Sequence, residues 1–148
     1  MYSSSTNGNA RNKRTDLVLV SGQDCLARLD VLKRAAEASV SAGVSLAILA
    51  SGEVFGVRDT TIHAQVFNLD QSLKEFGVRV IRLTPGCVCC SSKLIVQTHL
   101  SRLMRLNQPD VLLLELDSQS HVDQVIEWVK SEQWSDWFAK VSIQDADN

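Results

Sequence analysis

The densest chemistry in the chain lies at residues 87–90, where Cys87, Cys89 and Cys90 surround Val88 and follow directly on Thr84-Pro85-Gly86. Thiolates are soft donors suited to Zn²⁺ or Cu(I), and zinc takes four sulfur or nitrogen donors in a tetrahedron. A loop can fold three thiols from four residues around one ion, and Gly86 gives the chain freedom to turn. A helix following the loop would favour the thiolate form. Free cysteine is also a common small buried hydrophobe. Three in four residues, beside a Pro-Gly pair and outside a strand pattern, point instead to metal or redox chemistry. Three thiolates leave a tetrahedral ion one donor short. Water or a donor from a client protein would complete an exchangeable site; Cys25 and then His121 are the candidates within the chain.

Those residues need elements to position them. Short apolar runs predict strands over residues 17–20, 44–49, 78–83, 111–114 and 140–144. Apolar positions at helical spacing predict a helix over 26–42, with Leu29, Leu32, Ala36 and Val40 inward and Gly43 as its stop. Further helices are expected within 62–76, over 93–106 with Leu94, Leu100, Leu103 and Leu106 on the buried side, and over 121–130. Strands alternating with helices imply an α/β fold of three layers, a mostly parallel sheet with helices on both faces. Right-handed crossovers then put every strand-to-helix loop on one rim, where ligands bind in such sheets. The clustered cysteines fall in one of those loops, and Cys25 in another.

Composition bounds the partners. A chain of 148 residues that is 45% hydrophobic and 22% charged can bury one ordinary core. Its net charge is −2, yet Arg11, Lys13 and Arg14 lie in the first fifteen residues with no acid beside them. The remainder carries about −5, a poor match for nucleic acid. No run of apolar residues is long enough to span a membrane, and the N-terminus lacks the apolar core of a signal peptide, so a cytoplasmic protein is expected. Residues 1–15 are polar and read as a flexible tail, and residues 16–148 as the α/β domain.

The segment Arg82-Leu83-Thr84-Pro85-Gly86-Cys87-Val88-Cys89-Cys90 resembles the Gly-Cys-x-Cys-Cys segment of the CobW-type (CobW/HypB/UreG-like) metallochaperone GTPases. Residues 17–32 resemble that family's first strand, phosphate loop and first helix. Asp110-Val111-Leu112-Leu113-Leu114-Glu115 resembles the strand that ends in a catalytic-site glutamate, and residues 140–146 a later strand ending in Val-Asp-Ala. The resemblance covers about residues 16–147. It implies a P-loop NTPase-like fold, zinc or cobalt binding, GTP hydrolysis and delivery of metal to client enzymes.

Departures from the family pattern fall on the nucleotide chemistry. A phosphate loop needs Gly-x-x-x-x-Gly-Lys-Ser/Thr, with amides cradling phosphates, the lysine on the outer phosphates and the hydroxyl on Mg²⁺. Here Gly22 is kept, but Ala27, Arg28 and Leu29 replace the other three residues, and Asp24 adds a charge that repels phosphate. The strand-end carboxylate Glu115 is retained without the glycine that should follow three residues on, and Asn-Lys-x-Asp does not occur in the sequence. The expectation is a zinc-binding relative that acts through metal and a client metalloprotein, with GTP and Mg²⁺ unused. The alternatives are a GTP-dependent metallochaperone domain with an atypical loop and a thiol redox sensor. Arg28 is expected to be a solvated helix residue, Glu115 a hydrogen-bonded rim carboxylate and His99 an ordinary surface histidine. Trp128, Trp134 and Trp137 should close the edge of the core, with a partner patch as the alternative.

Overall fold

The apolar runs become the strands of one parallel sheet. The computed structural model describes residues 14–51, 60–83, 90–116 and 119–147. Strands β1 (Thr15–Ser21), β2 (Leu46–Ala50), β3 (Arg79–Arg82), β4 (Val111–Leu116) and β5 (Phe138–Asp145) lie in the order β3-β2-β4-β1-β5. Every pairing is parallel. Between them run α1 (Cys25–Ser41), α2 (Thr60–Glu75), α3 (Cys90–Asn107), α4 (Gln119–Val129) and the short α5 (Glu132–Ser135).

Alternate side chains on each strand serve opposite faces. Leu17, Leu19, Leu112 and Leu114 pack on one face with Leu100 and Leu103 of α3 and Val122 and Val125 of α4. Val20, Ile48 and Leu113 pack on the other with Val31, Leu32 and Ala36 of α1 and Leu73 of α2. β2 is buried throughout because helices cover both faces and strands flank both edges. β5 ends the strand order, and its Val141 and Ile143 are about half exposed. Gly43 ends α1 at φ 71°, a conformation that favours glycine. No helix among the described residues is long and apolar enough to cross a membrane.

The observed elements differ from the periodicity in particular places. β1 begins at Thr15, a residue expected in the tail; it is fully buried, and its hydroxyl donates to the Pro109 carbonyl at 2.6 Å. α5 was not expected, because four residues are too few to show a helical period. Its Trp134 is buried edge-on between Trp128 and Trp137, with ring centroids 5.1 and 5.4 Å away. Trp128 and Trp134 therefore close the edge of the core as expected, with Trp137 half-buried beside them. In α3, Leu94 and Leu106 are 66% and 67% exposed, against the expectation that both face inward. Each lies six positions from Leu100, about 120° around the helix, outside the stripe formed by Val96, Leu100, Leu103 and Met104.

Candidate functional site

Strand register gathers Ser21, Ala50, Arg82, Glu115 and Asp145 at one rim. Arg28, in the first turn of α1, points into that rim. It is fully buried, its Nε donates to Glu115 Oε2 at 2.8 Å, and its second donor reaches the Gly22 carbonyl at 2.6 Å. Glu115 Oε1 accepts from the Ser51 amide at 2.9 Å. Arg82 stands 3.9 Å from the same oxygen, donates to the Ser51 carbonyl at 2.9 Å, and grips Asp70 through two bonds of 3.0 and 2.8 Å. The result is a chain of alternating charge, Arg28–Glu115–Arg82–Asp70, tying α1, β4, β3 and α2 together. Buried charges persist only where each has a partner and filled hydrogen bonds, as here.

The expectation of a solvated Arg28 is thereby corrected. The guanidinium turns inward because Glu115, only 4% exposed, presents a buried carboxylate directly beneath the start of α1. Glu115 is the hydrogen-bonded rim carboxylate that the sequence suggested. Arg82 and Asp70 were not singled out, although a charged residue inside the apolar run of residues 78–83 was a visible signal.

The loop between β1 and α1 has its own occupants. Gly22 has φ 149°, and a Cβ there would come within 2.9 Å of Asp147 Oδ1. Asp147 Oδ2 accepts from the Gln23 amide at 2.9 Å, and Oδ1 takes a longer contact of 3.4 Å from the Asp24 amide. The Ala146 amide holds this segment in place through the Ser21 carbonyl at 2.7 Å. Asp24 caps α1, its Oδ1 accepting from the Leu26 amide at 3.0 Å. The amides at a helix start attract anions, and here two carboxylates of the chain itself take them. Leu29 is buried against Val66, with Ile62 and Leu69 beside them, and so fastens α1 to α2. Ala27 is half-buried on the same turn.

The thiols are only partly in view. Cys87 and Cys89 lie outside the described residues, as do Asp117 and Ser118, and Cys90 is described only as the first residue of α3. Among the described residues no three His, Cys, Asp or Glu side chains gather as a metal would require. Cys25 begins α1, is half-buried beside Leu29 and Val66, and is in no disulfide. His121 belongs to the first turn of α4, not to the loop before it. His99 departs from the surface histidine expected: it is half-buried, and its Nδ1 is buried with no hydrogen-bond partner among the described residues.

The profile of the CobW/HypB/UreG nucleotide-binding domain matches residues 54–145. The zinc chaperone YeiR of Escherichia coli (strain K12) is 32% identical over 76 residues, which is 49% of this chain and 23% of that protein. The match thus spans under a quarter of the relative's length. The signal recognition particle receptor FtsY of Elizabethkingia anophelis superposes with a TM-score of 0.50, and its GDP complex with 0.51, both at 17% identity. They cover 86% and 88% of this chain and 40% of FtsY. At that identity the likeness is one of fold, a parallel sheet flanked by helices in a P-loop NTPase-like arrangement.

Proposed function

This chain belongs to the CobW/HypB/UreG family, and from that premise we propose that it binds zinc through Cys87, Cys89 and Cys90 and presents it to a client metalloprotein without a cycle of GTP hydrolysis. The observation that carries the second half is the fate of Arg28. It stands where the phosphate-binding lysine would stand, yet it is fully buried between Glu115 and the Gly22 carbonyl. Its bonds to Glu115 and to the Gly22 carbonyl engage the guanidinium within the chain.

The neighbouring residues lead to the same reading. A phosphate loop places a hydroxyl on Mg²⁺, and the corresponding position is Leu29, buried against Val66. The Gln23 and Asp24 amides face the Asp147 carboxylate, which repels an anion. These residues do not fit a Mg²⁺–nucleotide complex. The loop serves as a joint between β1, α1 and the end of β5.

For the metal, three thiolates are a donor set that zinc accepts, and the relative named a zinc chaperone favours zinc over cobalt. A fourth position left to water or to a client donor keeps the ion exchangeable, as transfer demands. Cys25 remains the second choice for that position because it is itself a soft donor at the start of α1, and His121 the third. Reduced thiols require a compartment such as the cytoplasm.

Protein purified under reducing conditions without added zinc should contain about one zinc per chain by elemental analysis. Metal-free protein whose thiols pass reversibly into disulfides would overturn the proposal in favour of a redox sensor.

A further inference from the structure

Helix α3 presents two faces. One is the buried stripe of Val96, Leu100, Leu103 and Met104. The other carries Leu94, Thr98, Ser101 and Arg105, spaced four, seven and eleven residues along, so that they share a side of the helix. This second face, with Arg102, forms one wall of a groove of about 720 Å³ whose opposite wall is built by Trp134 and Trp137. Leu94 and Leu106, the two leucines displaced from the core stripe, are its largest exposed apolar side chains.

The charge in this groove runs against the rest of the chain. Among the described residues, Arg102 and Arg105 are its charged side chains, no carboxylate lines it, and neither arginine is ion-paired. Beyond the first fifteen residues the chain holds more acids than bases, so this is a cationic, aromatic-floored strip on an otherwise acidic body. Arg105, in the last turn of α3, also meets the negative end of the helix dipole, but Arg102 lies a turn earlier. Tryptophan and arginine are among the residue types enriched at the hot spots of protein–protein contacts.

We propose that this groove docks an acidic peptide segment of a partner protein, with its apolar side chains on Leu94, Leu106 and the half-buried Trp137 and its carboxylates on Arg102 and Arg105. Charge complementarity selects this occupant. Two cations are too few for nucleic acid, whose binding rests on many phosphate contacts. The chain's own basic residues Arg11, Lys13 and Arg14 carry the same sign as the groove. The docking stands independently of the zinc reading, but it has a consequence for it. α3 begins at Cys90, and twelve residues of helix, about 18 Å, separate that position from Arg102. A docked partner therefore lies along the same helix that leads out of the cysteine loop.

The test uses the full chain and a short fluorescein-labelled peptide in which glutamates flank a pair of leucines, with a control peptide carrying lysine at each glutamate. Fluorescence anisotropy should show saturable binding of the acidic peptide, weaker at high salt, and none of the lysine peptide. The pair of substitutions R102E and R105E should weaken binding by about tenfold or more, since two attractions become repulsions. Both arginines are exposed, so the melting temperature should not move; the neutral pair R102Q and R105Q gives the same reading if it does. Leu94→Ser should weaken binding as well. No saturable binding of the acidic peptide, equal binding of both peptides, or an unchanged affinity in the arginine variants would each overturn the proposal.

Discussion

Arg28→Ala is expected to lower the unfolding free energy by about 3–5 kcal/mol, the cost of leaving a buried charge without its partner. The substitution strips Glu115 of its 2.8 Å bond and frees the Gly22 carbonyl, while Glu115 stays buried. The Ser51 amide at 2.9 Å would remain on that carboxylate, with Arg82 3.9 Å away and already committed to Asp70. Glu115→Ala should cost a similar amount, because it leaves Arg28 buried and uncompensated. The double variant should cost much less than the sum of the two, since the pair is lost together. Arg28→Lys should not restore stability: a planar fork spans both acceptors, and a single ammonium does not. Urea unfolding of the four variants measures this. A loss within about 0.5 kcal/mol for Arg28→Ala, the range of ordinary surface changes, would mean that Arg28 is solvated and free to meet phosphate.

The second large effect concerns the metal. Changing Cys87, Cys89 or Cys90 singly to Ser should reduce zinc affinity by more than about a hundredfold, because losing even an outer-sphere support costs 10–100-fold. Cys25→Ser should leave the affinity nearly unchanged, since its half-buried side chain packs beside Leu29 and Val66. Acidification should weaken zinc binding in the wild type, as protons compete for the thiolates. Competition titration with a chromogenic chelator reads all of these. If Cys25→Ser releases zinc as readily as Cys89→Ser, the chain itself closes the site, and a structural metal replaces a transferable one.

The architecture was legible because its signal is local. β2 and β4 are buried on both faces, so their apolar runs stand out, and Gly43 marks the end of α1 with its positive φ. The cysteine spacing at residues 87–90 is a matter of identity, and Cys87 and Cys89 lie outside the described residues. What the sequence hid was contact between distant residues. Arg28 and Glu115 lie 87 positions apart, and Gln23 and Asp147 lie 124 apart, so no periodicity links them. Leu94 and Leu106 misled for another reason: they share the leucine identity of the buried stripe, yet each lies about 120° around the helix from Leu100. His99 misled because a histidine in a polar-looking helix gives no sign that one ring nitrogen is buried.

The central claim is a zinc site uncoupled from nucleotide, and a zinc titration run with and without Mg²⁺·GTP on the same sample tests it most directly. The two titrations should give the same affinity, and GTP added alone to the zinc-loaded protein should produce no saturable heat at sub-millimolar concentration. A Mg²⁺-dependent, saturable uptake of GTP, or a zinc affinity that shifts when GTP is present, would contradict it and return the chain to the nucleotide-driven members of its family.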